Sequence, residues 1–451
     1  MEGGRQEKRR WRTSITAVAV LSLGLVAALL TPALAQAVKP GALDRSFSHN
    51  GKVRTDFAGP HDGANAVALD PHGRVVAAGH TCNADYRECD FAVARYRPGG
   101  RLDGSFSGNG LKATDFHGGD DSIGSVAVDS QGRIVAAGAT GDRRTGDFAL
   151  ARYGPDGGLD RSFGAGGRVT TDFGHSDSVS SLAIDSDGRI LAVGNSCRAE
   201  YHCDYALARY EPDGSLDGSF GTGGRVTMSF QGNGNGNVAT AVAIDSLGRI
   251  VVAGNRWDKS TYTYDFALDR YQADGTIDPS FGEGGEVTTS FGVAYTGGAA
   301  EVMIDSEGRI LVAGTREDDE GLQTGDFALA RYVSDGTVDS SFGTDGKVIT
   351  DFSPYAYASS AALDSRGRIV VVGYVYNRAH GERFALARYK PTGELDRSFG
   401  GDGQVATEFR GKGIACAVAI DLEDRPVVAG NTPGGHEDFA LARYVGYRYR
   451  P

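Results

Sequence analysis

At 451 residues the chain is longer than one hydrophobic core supports, so it is either several domains or one repetitive domain. Its 67 glycines and 13 prolines, without a collagen period, mean many turns between short strands and predict an all-β protein. A net charge of −12 repels phosphate backbones, and no basic stripe with interleaved aromatics offsets it, so nucleic acid is excluded as an expected partner.

The first 35 residues stand apart from the rest. Arg5, Lys8, Arg9, Arg10 and Arg12 precede an apolar run over residues 14–30, and Ala33-Leu34-Ala35 matches a small-residue cleavage site. The expectation is a signal peptide over residues 1–35, cleaved after Ala35, and a secreted or extracytoplasmic product. An uncleaved anchor is the alternative, because the run sits at the lower edge of what spans a bilayer. Arg9-Arg10 leaves twin-arginine export open. No later segment is long and apolar enough to span a membrane, so none is expected as a partner after cleavage. Residues 36–50 form a lead-in.

From about residue 41 to 444 one unit recurs, and the seven-repeat propeller is assigned to residues 51–444. Its Leu-Asp-x-Ser-Phe element begins at Leu43, Leu102, Leu159, Leu216, Ile277, Val338 and Leu395, spaced 57 to 61 residues apart. Each copy carries four strand-like runs, for example residues 125–129 (SVAVD), 133–138 (RIVAAG), 147–153 (DFALARY) and 168–173 (RVTTDF), bounded by Gly, Asp or Pro. Asp129 and Gly132 suit a tight hairpin between the first two. Seven antiparallel four-stranded units with apolar faces on both sides must stack on both neighbours, and radial closure leaves only short edges. The prediction is a seven-bladed β-propeller; an open β-solenoid is the runner-up, but neither end shows an atypical capping repeat.

The two ends of the repeat array sharpen this. It begins with a fourth-strand sequence, GKVRTDF at 51–57, and closes with a third-strand sequence, DFALARY at 438–444. Residues 52–57 should therefore complete the C-terminal blade as a clasp, leaving residues 445–451 as a tail. The unit D-F-A-L-A-R-Y-x-P-D-G-x-L-D-x-S-F-G-x-G-G-x-V-x-T-D-F resembles the bacterial delta-60 repeat family over nearly all of the chain beyond residue 35. The resemblance implies an exported, propeller-like protein and brings no established activity. Arg383, Asp269 and Asp424 depart from the pattern, in place of Asp, Ala and Gly.

A residue that every blade needs is explained by folding. Arg95, Arg152, Arg209, Arg270, Arg331, Arg388 and Arg443 recur in all copies, as do Asp44, Asp103, Asp160, Asp217, Asp278, Asp339 and Asp396. An arginine beside packed apolar groups needs an acceptor, so an Arg–Asp ladder tying blades together is expected. Asp185-Ser-Asp187-Gly188 resembles the start of a calcium loop, but the ligand series does not continue and the other copies lack Asp187, so it reads as a turn. The glycines around Gly164–Gly167 precede no helix, and nucleophile-elbow, zinc-protease and Walker signatures are missing. No cofactor, metal or catalytic residue is assigned.

Cys82 with Cys89 and Cys197 with Cys203 occupy the same loop in two copies, at neither metal nor redox spacing, and are expected to form two disulfides. Cys416 reads as a buried, unreactive thiol on an inner strand. In a propeller the loops from outer to next inner strand and from second to third strand share one face, and here those loops vary in every copy. Trp257, Tyr262, Tyr264, Tyr295, Tyr355, Tyr357, Tyr374 and Tyr376 gather on that face, beside the acidic run Glu317–Glu320. On one inner strand Glu301 and Met303 replace small residues. The leading expectation is a monomeric, non-catalytic binding or adhesion module for an extracellular glycan or protein ligand, with aromatics stacking around Glu301. A polysaccharide-acting enzyme would need a second carboxylate opposite Glu301. A structural envelope protein, whose tyrosines only pad long hairpins, is the third reading.

Overall fold

A computed structural model describes residues 38–116, 118–141, 145–199, 202–228, 237–258, 263–292, 295–318, 324–352, 355–409, 411–432 and 436–447. The expected signal peptide lies outside them. The described residues form seven four-stranded antiparallel sheets arranged as the blades of a ring, with no helix among them. The innermost strands of blades 1–7 are His61–Leu69, Ser122–Val128, Ser176–Ile184, Val238–Ile244, Tyr295–Ile304, Tyr355–Leu363 and Ile414–Ile420. Each innermost strand packs on that of the next blade, and blade 7 returns to blade 1.

Ring closure follows the clasp read from the sequence. Lys52–Thr55 pairs antiparallel with Phe439–Arg443, in the register Lys52↔Ala442 to Thr55↔Phe439. The strand stops at Thr55, two residues earlier than expected, and Asp56 and Phe57 turn out of the ladder to meet the start of blade 1. Chain ends thus share blade 7, and its outer edge is covered instead of left as an open template for pairing.

The hydrophobic core is divided among the blade junctions. One cluster contains Val76, Phe91 and Phe106 of blade 1 with Ile134, Ala149 and Tyr153 of blade 2. The next joins blades 2 and 3 in the same way, and the last joins blade 7 to blade 1 through Val427, Leu441, Val75 and Tyr96. A single blade has nothing to bury its faces against, so folding of one unit depends on its neighbours.

Each second strand carries a glycine whose reason lies in the sheet. Every innermost strand shifts register by one residue, as between Ile123 and Ser125, which brings a carbonyl over the facing strand. A Cβ on Gly138 would lie 1.9 Å from the Ser122 carbonyl oxygen. The first hairpin of blade 2 closes on Asp129, whose Oδ1 accepts from the N–H groups of Gln131 and Arg133, both at 2.9 Å. Asp185 does the same for Asp187 and Arg189, so that loop is the turn expected. In blade 7 Asp424 stands at the turn-glycine position with φ of 57°, and its carboxylate accepts from the N–H and the hydroxyl of Ser365 in blade 6. This departure adds a tie between blades that glycine lacks.

Candidate functional site

The recurring arginine sits at the centre of a joint on the uniform face. Arg95 Nε donates to Asp103 Oδ2 at 3.0 Å, Nη2 donates to Ser105 Oγ at 3.2 Å, and Nη1 donates to the Pro155 carbonyl of the next blade at 2.6 Å. Its guanidinium lies over the Phe106 ring, 4.7 Å from the centroid. The other six copies repeat the arrangement, and at the clasp Arg443 meets Asp44 at 2.9 Å and the Pro98 carbonyl at 2.6 Å. This corrects one detail of the expected ladder. The carboxylate belongs to the arginine's own blade, eight residues on in six copies and supplied by the N-terminal lead-in at the clasp, and the tie to the neighbour is a neutral carbonyl. Only a side chain with a planar fork of donors serves both partners at once.

Four side chains near the ring axis show a second kind of joint. Ser125 Oγ accepts from the Leu182 N–H at 3.1 Å, and Ser181 Oγ accepts from the Val242 N–H at 3.3 Å, each across a blade junction. Glu301 occupies the same place in blade 5, and Ser360 of blade 6 donates to its Oε2 at 3.1 Å. Burial pushes its pKa up to about 7, against the Ser360 hydroxyl and the backbone N–H groups of Val302 and Ala361. Among the described residues no second carboxylate faces it. Met303 is buried in the core between blades 5 and 6. Cys416, read as buried, stands at the register shift of the last innermost strand, where its side chain is only partly covered. The thiol itself is pushed up to about 12 by burial, so it stays protonated at neutral pH.

The tyrosines fall into separate groups. In blade 6 Tyr357 and Tyr374 stack with centroids 5.7 Å apart, and Tyr355 lies 6.1 Å from Tyr374. Tyr376 is the cross-strand partner of Tyr355. All four keep part of their surface exposed, and Glu317 of blade 5 is close enough to help burial push the Tyr355, Tyr357 and Tyr374 phenols upward. In blade 4 Trp257 packs on its cross-strand neighbour Tyr264, centroids 4.8 Å apart. Tyr262 lies outside the described residues, as do Asp319 and Glu320; Tyr295 is described as backbone, the first residue of its strand.

On the same face, across blades 1 to 3, lies a cavity of about 430 Å³ that sequence reasoning missed. It is lined by His80, Tyr86, the Cys82–Cys89 bridge, Asp121, Ser122 and Asp177, among others. His80 is half-buried, and desolvation followed by the nearby His61 lowers its pKa, favouring the neutral ring. Burial raises the pKa of Asp121 and Asp177, and neighbouring aspartates add to it. The signal was present in the sequence: Asp121 and Asp177 each follow a Thr-Asp-Phe strand end by a few residues, as Asp62 does, and other copies lack them.

The second bridge, Cys197–Cys203, staples the equivalent hairpin of blade 3. Both bridges are compatible with an extracellular protein. No helix of the described residues is long and apolar enough to cross a membrane.

Residues 130–163, 186–220, 248–281, 306–342 and 367–399 match the family described as "Domain of unknown function (DUF5122) beta-propeller", and residues 166–199 match the WD domain, G-beta repeat. No curated protein matches the chain in sequence. In structure it is similar to a virginiamycin B lyase from Staphylococcus aureus, with a TM-score of 0.50, 9% identity, and coverage of 87% of this chain and 98% of that one. It is also similar to the polysaccharide lyase Uly1, with a TM-score of 0.51, 12% identity, and coverage of 87% and 91%. At such identities the likeness is one of fold. Together with the ring of seven blades, these matches identify the chain as a β-propeller repeat protein whose units are similar to DUF5122.

Proposed function

We propose that the chain is an exported binding module that takes an extracellular glycan on the variable face, against the tyrosine shelf of blade 6. The observation that carries this is the group Tyr355, Tyr357 and Tyr374, partly exposed beside Glu317, with Tyr357 stacked on Tyr374 and Tyr355 tilted against it. Aromatic faces supply flat apolar surface for the C–H side of a sugar ring, and a carboxylate beside them accepts from its hydroxyls. The opposite face repeats the same turns in every blade and offers little to distinguish one ligand from another. Glu301 supports binding over hydrolysis, because its oxygens serve the junction that Ser125 and Ser181 serve elsewhere.

The test is a glycan screen of the full chain by thermal shift, followed by titration of the hits. Tyr374→Ala and Tyr357→Ala should each weaken binding about tenfold, near the upper end of what one aromatic contact contributes. Trp257→Phe, in the other aromatic group, should leave it unchanged. Binding indifferent to both tyrosines removes the shelf from the reading. A second reading, action on a polysaccharide, rests on the cavity over blades 1 to 3, where a neutral His80 and the carboxylates of Asp121 and Asp177 line one space. Shortening of a polysaccharide, followed by size-exclusion chromatography and abolished by His80→Ala, would favour it.

A further inference from the structure

Three blade junctions hold a cluster that neither the ring nor the tyrosine shelf requires. Asp56, Asp62 and Asp438 meet between blades 7 and 1, Asp90, Asp115 and Asp121 between blades 1 and 2, and Asp147, Asp172 and Asp177 between blades 2 and 3. In each, one carboxylate oxygen from every residue lies within 4.8 Å of the others. The third residue of each cluster stands at the start of an innermost strand, or in the case of Asp121 just before it, and is buried, with exposures of 0, 0 and 1% for Asp62, Asp121 and Asp177. One oxygen is occupied: Oδ2 of Asp121 accepts from the Phe116 N–H at 2.7 Å, and that of Asp177 from the Phe173 N–H at 2.6 Å. The other, Oδ1, is buried and makes no hydrogen bond of good geometry in any of the three, although the Thr81, Thr140 and Ser196 hydroxyls lie beside the carboxylates of Asp62, Asp121 and Asp177.

The copies differ in how the charge is met. Between blades 7 and 1 the Arg54 guanidinium pairs with Asp438. At the place of Arg54 the next two blades carry Ala113 and Thr170, and among the described residues none of their six carboxylates has an ion-pair partner. Arg225 reaches only the carbonyl of Asp172, at 2.8 Å. The buried aspartate occurs only where both other acids are present. Elsewhere its position is Asn237, Gly297, Ala356 or Gly413, and in blades 4 and 5 the second strand carries Arg256, paired with Glu286, and Arg316, paired with Asp326. Three carboxylates this close, one of them buried with an oxygen that only a nearby neutral hydroxyl approaches, favour a positive charge among them.

We propose that the clusters Asp90–Asp115–Asp121 and Asp147–Asp172–Asp177 are two calcium-class divalent cation sites, and that Arg54 takes the cation's place at the third. The donors are all hard oxygens, with no thiolate and no imidazole among them, which suits calcium over zinc. Water completes the coordination, and the cavity that Asp121 and Asp177 line provides the way in.

The experiment is isothermal titration of the EDTA-treated full chain with calcium chloride, alongside thermal melts in calcium and in EDTA. Two calcium ions per chain are expected. Asp121→Asn and Asp177→Asn each remove one, and Arg54→Ala raises the count to three. In EDTA the asparagine variants should melt at or above the wild-type temperature, because they relieve repulsion; in calcium they should melt below it. That crossover separates a cation site from a merely structural aspartate, whose loss lowers both melts. No binding up to about 10 mM calcium, beyond the weak end of extracellular sites, overturns the proposal, as does a stoichiometry unmoved by the asparagine substitutions.

Discussion

Replacing Glu301 with glutamine should make the protein more stable at alkaline pH and leave it nearly unchanged in acid. The carboxyl titrates at about 7 in the folded ring, against 4.5 when free, because burial opposes the charge more than Ser360 and two backbone N–H groups favour it. A carboxyl raised in this way costs nothing below the unfolded value, where both states are protonated. The cost grows as pH rises from 4.5 and is complete above about 7. Its ceiling is about 3 kcal/mol, and residual contact of the side chain with solvent brings this to roughly 1–3 kcal/mol. Glutamine keeps an acceptor for Ser360 and carries no charge. The melting temperature of E301Q should exceed that of wild type by about 1–3 °C at pH 8.5, given the large unfolding entropy of a chain this size, with no difference at about pH 4. Paired melts by circular dichroism at the two pH values measure it. A destabilised E301Q at pH 8.5, or the same difference at both pH values, would refute the argument that a buried charge is at issue.

The arginine joint should fail asymmetrically. Arg270→Ala leaves Asp278 buried without its 2.7 Å partner and should cost about 3–5 kcal/mol, while Arg270→Lys should recover only part of that, since an ammonium cannot hold Asp278, Ser280 and the next blade together; equal melts for Lys and Arg would count against the fork. Deleting residues 38–57 uncovers the Phe439–Arg443 edge and removes Asp44 and the buried Phe47, so size-exclusion chromatography should show self-association and calorimetry a lower melt. Reducing the Cys82–Cys89 bridge should cost about 2–3 kcal/mol by loop-closure arithmetic, with hydrogen exchange accelerated in the hairpin of blade 1 and little changed in blade 6.

Much of the fold was legible because the protein repeats itself. Seven copies at near-constant spacing supply an internal comparison, and residues common to all of them, such as Arg152 and Asp160, are assignable to shape from the sequence alone. The clasp was legible for the same reason: an array that opens on a fourth strand and closes on a third has only one economical way to complete its last blade. The site was less legible. Tyr357 and Tyr374 are 17 positions apart and meet only because Tyr357↔Tyr374 is a cross-strand pair, whereas Trp257 lies two blades away in another group.

What the sequence determined by itself was therefore the repeat, its four strands, the turn chemistry of Asp129 and Gly132, and the face on which variation collects, all of which are local or periodic. The tertiary structure decided what lies across each junction. Arg95 finds its second acceptor at Pro155, Glu301 its donor at Ser360, and Asp115 its neighbour at Asp121, each across the junction of two adjoining blades. These pairings depend on how blades rotate against one another around the ring. That angle is set by packing between two apolar faces, a quantity no single repeat contains.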